Sequence, residues 1–261
     1  IAEIIETHRN AILAAADESL SPADERHFHP FALDLAIRQI GRHRDDFAAA
    51  RHLGRGHNDL QQRFLRYMSP RERSALQALA LALEFDEQVF GRLLDRHVIT
   101  DIAIQDFHDL VGPNNSHVLA SGSAYRFHAK MQEALLANLR QQANGQDKAR
   151  TVIDVLIEQQ TTRLDQARRQ HASDEMARAF SRAASILLEH GESGLLEVGE
   201  FRARFFALDD ALPDGVLASA RQPAWIRAEV ILTRYLGADD RDTLSTRAHL
   251  AHWTGETGNA R

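Results

Sequence analysis

Phe107-His108-Asp109-Leu110 is the segment whose residue types speak most directly of catalysis. A neighbouring imidazole and carboxylate offer one nitrogen and one oxygen donor, the ligand set of a divalent metal that activates water. Closing such a site takes a second histidine and a second carboxylate. His57 or His97 upstream and Asp154 or Asp165 downstream are of the right type.

An adjacent His-Asp pair on a helix resembles the central feature of HD-type phosphohydrolases, which are all-helical. The resemblance implies metal-dependent phosphate-ester hydrolysis with His108 and Asp109 as metal ligands. It rests on the dipeptide alone, and Val111 intrudes before Gly112. Other catalytic constellations are missing. The chain has no cysteine, which removes thiolate nucleophiles, disulfides and thiolate-bound zinc. It has no His-x-x-x-His pair and no Gly-x-Ser-x-Gly elbow. Three Arg-x₄-His spacings (Arg38/His43, Arg92/His97, Arg247/His252) resemble those of helical ribonucleases, but abundant Arg and 14 His produce them by chance. No cofactor motif is present and none is expected.

Two stretches fit the frame of a calcium-binding helix–loop–helix. In the first, Asp95, Ile102 and Asp106 take loop positions one, eight and twelve. In the second, Glu189, Gly194, Leu196 and Glu200 take positions one, six, eight and twelve. His97, Ile99 and Gly191 stand where oxygen ligands belong, so neither loop reaches the six to eight oxygens calcium takes. The expectation is a metal-free structural resemblance. Trp225-Ile226-Arg227-Ala228-Glu229 resembles the Trp-x-x-x-Glu pattern of injected bacterial effectors that mimic guanine-exchange factors. With no catalytic loop after it, Trp225 reads as a core anchor following Pro223.

The binding segment that leads is a loop. Gly112, Asn114, Asn115, Ser116 and His117, running on to Ser121-Gly122-Ser123, form the stretch richest in Gly, Asn and Ser. Loops of that composition carry contacts on rigid scaffolds, so this one is expected to be an interaction loop leading into a helix from about Ser123. Its amides could meet an anion, though it lacks the glycine spacing and lysine of a phosphate loop. A helix-turn-helix placed here puts His108 where a small residue belongs and Ser121 where an apolar one does.

The elements that must position these residues are helices. The chain holds 40 Ala and 31 Leu against 9 Val, 14 Ile and 10 Thr, so good helix formers far outnumber β-branched residues. Starts are marked at Ser21-Pro22, Ser69-Pro70-Arg71-Glu72 and Ser173-Asp174-Glu175, and stops at Gly54, Gly112-Pro113, Asn144-Gly145, Gly191 and Gly237. The predicted helices are 2–17, 22–28, 31–52, 57–67, 70–84, 86–97, 101–111, 123–143, 146–170, 174–190, 197–209, 215–221, 224–236 and 240–252. The fold class is therefore all-α, an irregular array of about a dozen helices. The polar stretch around Asn144-Gly145 either divides it into an amino-terminal bundle, 1–143, and a carboxy-terminal bundle, 147–261, or is a turn within one continuous array. No apolar stripe lasts three heptads, so no coiled coil is specified.

Charge narrows the partners. Thirty-seven acids outweigh 31 bases, and the basic residues form no stripe, which excludes a duplex-binding surface. The longest apolar runs are six residues, far short of the ~20 a bilayer span takes. No signal peptide is visible in the given sequence. Arginine supplies all the positive charge except Lys130 and Lys148, and with the abundant alanine this points to a GC-rich bacterial gene. The leading expectation is a non-catalytic bacterial interaction or regulatory protein, cytoplasmic or secreted, whose partner is another protein. The alternative is the metal-dependent phosphohydrolase using His108 and Asp109.

Overall fold

The computed structural model describes residue 65 and residues 68–112, 117–212 and 217–258. The four helices expected before residue 68, together with His57, Asn114, Asn115 and Ser116, lie outside those residues apart from Leu65, which is helical. The described residues are mostly helical, with nine α-helices, one 3₁₀ turn and one two-stranded sheet. The chain divides into two compact units, Ile1–Gln141 and Gln142–Arg261.

In the first unit, helix α1 spans Pro70–Leu81. Ser69 and Glu72 cap it reciprocally: the Glu72 amide donates to Ser69 Oγ and the Ser69 amide to Glu72 Oε2, at 3.2 and 3.0 Å. Ala75 through Leu81 are all buried, as expected of a helix apolar on every side. Gln77, the polar member of that run, donates to Asn138 at 2.9 Å. That bond ties α1 to α4 (Ala129–Arg140), whose Met131, Leu135 and Leu139 are fully buried.

Helix α2 (Glu87–Asp95) starts at Asp86, whose Oδ1 accepts from the Val89 amide at 2.8 Å. It ends in a Schellman turn: the Val98 and His97 amides donate to the Leu93 and Leu94 carbonyls, with His97 in the left-handed region. The single helix expected at 101–111 is instead a 3₁₀ turn, Ile104–Asp106, followed by short α3, Phe107–Val111. Asp106 caps the start of that turn by accepting from the Ala103 amide at 2.8 Å.

The all-helical expectation is corrected at one place. Residues 118–127, entered as loop and helix start, form an antiparallel hairpin, β1 Val118–Ser121 and β2 Ala124–Phe127. Gly122, at φ 62°, takes the first central position of its two-residue turn, where glycine alone fits without strain. Beyond β2, Phe85 and Tyr125 exchange both backbone bonds, at 2.8 and 2.7 Å. The rings of Phe85, Phe90, Phe107, Tyr125 and Phe127 then pack centroid to centroid at 5.0–6.3 Å. Aromatic burial against α2 and α3 overrides the helix propensity of this short segment.

The second unit is a helical array of α5 (Gly145–Arg169), α6 (Ser173–Glu192), α7 (Val198–Asp210), α8 (Ala218–Leu236) and α9 (Arg241–Gly258). Its core is aromatic, with Phe180, Phe201, Phe205 and Trp225 almost wholly buried. Gly191 lies against Phe201, and a Cβ there would stand 2.8 Å from the ring. The two helices expected at 215–221 and 224–236 are one. Pro223 sits six residues in, it and Ser219 are exposed, and the carbonyl that loses its donor belongs to Ser219.

Candidate functional site

His108 and Asp109 both lie exposed on α3, while Phe107 and Leu110 on the same helix are buried. The His108 ring stands 6.0 Å from Phe107 in an edge-on arrangement. Among the described residues no group of three or more His, Asp or Glu side chains is placed to hold a metal ion. The proposed companions are engaged or dispersed. His97 is the exposed left-handed residue that ends α2. Asp154 pairs with Arg204 at 2.6 Å, and Asp165 is exposed on α5.

The two calcium-like frames are likewise committed to structure. Asp106, the twelfth position of the first, caps the 3₁₀ turn. Glu200, the twelfth position of the second, accepts from Arg150 at 3.0 Å and Arg204 at 2.5 Å. Together with Asp154 these groups clasp α5 to α7. Trp225 is a core residue, packed at 5.1 Å from both Phe205 and Phe206 and stacked on His249 at 4.7 Å. Glu229 accepts from Arg247 at 2.9 Å, holding α9 to α8. Lys148, near the start of α5, has its pKa lowered by burial, which disfavours the charged ammonium.

Of the expected interaction loop, Gly112 is half-buried at the end of α3. His117 is not a surface contact. It is 2% exposed, stacks parallel to Phe127 at 6.2 Å, and its carbonyl accepts from the His128 amide at 2.9 Å. The residue closes the base of the hairpin, and beyond it β1 carries the exposed side chains of Leu119 and Ala120.

The geometry of β1 follows from its partners. Val118 pairs with Phe127, Leu119 with Arg126, Ala120 with Tyr125 and Ser121 with Ala124. Because Tyr125 spends its amide and carbonyl on Phe85, the Ala120–Tyr125 pair is not hydrogen-bonded. The amide and carbonyl of Ala120 therefore point away from β2, and by alternation so do those of Val118. Among the described residues no backbone bond from the amides or carbonyls of Val118 or Ala120 is formed on that side. Leu119 is 37% exposed and Ala120 is exposed. From Leu110 to Tyr125 the sequence contains no charged residue, and neither proline nor a bulge interrupts the strand. These are the devices with which edge strands are normally blocked. The arrangement can do one thing chemically: offer backbone donors and acceptors to another extended chain.

Sequence reading missed the hairpin although its signal is present. Gly122-Ser123 between Val118-Leu119-Ala120 and Tyr125-Arg126-Phe127 is a two-residue turn flanked by strand-forming residues.

The second unit has an exposed apolar face of its own. Ile226, Val230 and Leu244 are each about half exposed on α8 and α9. Arg227 beside them is bonded to Glu192 at 3.0 Å, and the helical backbone there is satisfied internally. No helix among the described residues is long and apolar enough to cross a membrane.

No family model matches the chain, and no curated protein or solved structure matches it either.

Proposed function

We propose that this chain is a non-catalytic interaction protein that docks another polypeptide along the outer edge of β1. The observation that carries the reading is the edge at Val118 and Ala120, whose outward backbone groups meet no backbone partner among the described residues, beside exposed Leu119. Strand addition draws affinity from main-chain bonds and specificity from alternate side chains, and this edge has both to give. The composition favours a bacterial source, and either the cytoplasm or an exported location is compatible with such a role.

Replacing Ala120 by Pro tests it. Proline at 120 removes an amide that points outward and none that the hairpin uses. Affinity capture from the native host, with proteins identified by mass spectrometry, should show a partner held by the wild type and lost by Ala120→Pro. The same purified protein, supplied with Mn, Fe, Zn or Mg, should leave a panel of phosphate esters intact. Identical capture by both proteins, or metal-dependent turnover abolished by Asp109→Ala, overturns the reading.

A further inference from the structure

We infer that the strand which adds to β1 is β1 of a second copy of this chain, antiparallel, with Leu119 facing Leu119 across a two-fold axis. The inference rests on the edge-docking reading above and names its occupant. The outward-pointing groups belong to Val118 and Ala120, one on each side of Leu119. An antiparallel copy centred on Leu119 sets Val118 opposite Ala120 and Ala120 opposite Val118. Each of these is a hydrogen-bonded pair, so four backbone bonds form and all four outward residues are satisfied. Centring instead on Val118 or on Ala120 gives one such pair within the strand and runs the rest into Ser116 or into the Gly122 turn. Only the Leu119 register uses the whole edge and nothing beyond it.

The side chains agree with that register. Leu119 meets Leu119 in a non-hydrogen-bonded pair, where Cα atoms approach to about 4.5 Å and side chains touch most closely. Val118 and Ala120, the residues exchanged across the axis, are small and uncharged. On the same face the Glu84 carboxylate accepts from Ser121 Oγ at 3.3 Å, and opposite Leu119 on β2 stands Arg126. Its counterpart in the second copy is three strand spacings away, about 14 Å, which exceeds the screening length of roughly 8 Å at physiological salt. Like charge therefore does not oppose the pairing. Two-fold symmetry is what a self-complementary patch of this kind dictates.

The absence of cysteine makes the test direct. Leu119→Cys places one thiol per chain where the partner's thiol must stand, at a Cα separation inside the range of a disulfide. Mild oxidation of the purified Leu119→Cys full chain should give a covalent dimer at least tenfold faster than Leu244→Cys, whose residue is also exposed. Sedimentation of the wild type should show a species of twice the chain mass whose fraction rises with concentration. Ala120→Pro should reduce that species at least tenfold, and added to Leu119→Cys it should remove the cross-link. Leu119→Arg, which sets like charges in direct opposition, should do the same with the circular dichroism unchanged. Equal cross-linking of Leu119→Cys and Leu244→Cys, or a dimer indifferent to both Ala120→Pro and Leu119→Arg, overturns the inference. A chain that stays monomeric but holds a different protein, sensitive to Ala120→Pro, overturns self-pairing and leaves edge docking standing. A monomer whose captured proteins ignore Ala120→Pro overturns both.

Discussion

Two hairpins, one of strands and one of helices, present apolar side chains to solvent, and they differ in what lies beneath. The α8–α9 pair exposes more: Ile226 is 50%, Val230 48% and Leu244 49% exposed, against 37% for Leu119 on β1. Yet its backbone is closed within each helix and its flanks are ion-paired, Arg227 with Glu192 and Arg247 with Glu229. The β1–β2 pair exposes one leucine and an edge of unspent amides and carbonyls. Scattered exposed apolar residues are ordinary on protein surfaces, whereas an unblocked strand edge is not. Exposure alone therefore favours the helical hairpin, whereas the docking proposed above rests on the backbone of β1.

The hairpins also differ in how they are anchored, and substitution should separate them. Helix α8 is fixed to α7 by a buried bidentate pair, Arg221 Nε and Nη2 donating to Asp209 at 2.7 and 2.5 Å. Asp209→Ala leaves the guanidinium buried without its counter-charge, at a cost of about 3–5 kcal/mol. In urea titration followed by Trp fluorescence, the transition that reports Trp225 should move accordingly, and an unchanged midpoint would refute the anchoring role.

Gly191→Ala should come next. Its new methyl group meets the Phe201 ring at 2.8 Å, and overpacking of this kind costs about 1–3 kcal/mol. Chemical denaturation should show the loss, and a Gly191→Ala, Phe201→Leu double variant should recover part of it.

The strand hairpin answers to a smaller change at its turn. A Cβ on Gly122 meets no atom within 4 Å, so the penalty of Gly122→Ala is conformational, set by φ 62°. That strain is worth about 1–2 kcal/mol. Amide exchange should quicken at Leu119 and Arg126 while the second unit is unaffected. Protection at those residues equal to wild type would show that Phe85 and the aromatic cluster, not the turn, hold the hairpin.

The smallest effect belongs to the helical face. Ile226→Ser with Val230→Ser should change stability by no more than about 0.5 kcal/mol, as surface substitutions do. It should leave the sedimentation profile as it was. A dimer lost in this double variant would transfer the interface from the strand edge to α8.

How much of this was legible differs by element. The start of α1 was written in Ser69-Pro70-Arg71-Glu72, because a cap is a local bargain among three or four consecutive residues, whereas α6 begins at Ser173 itself, after Ala172 and with no side-chain cap bond. Helical spacing put Ile153, Leu156, Ile157, Leu164 and Ala167 on one face of α5; all are buried except Ile157, which is half-buried. The late start of the segment 104–111 was not legible, since Asp101 is left-handed at φ 61° and Ala103 is extended although Ile102, Phe107 and Leu110 stand at helical spacing. The continuity of α8 through Pro223 was not either, because it depends on Ser219 standing in water. Of the expected interaction loop, the burial of His117 was not legible, because it follows from the packing of its ring on Phe127, and the strand that comes after it carries the exposed side chains of Leu119 and Ala120.

The sequence by itself determined the helical character of this protein, the capped start of α1 and the want of thiol chemistry, because propensity, capping and composition act over a few residues at a time. Tertiary structure alone decided that residues 118–127 are strands and that β1 is left as the edge. Tyr125 could not exchange bonds with Phe85 until the chain between them had folded through α2 and α3. That long-range pairing covers the outer side of β2 and, among the described residues, leaves β1 as the edge, and no local pattern specifies which side of a hairpin will find a partner.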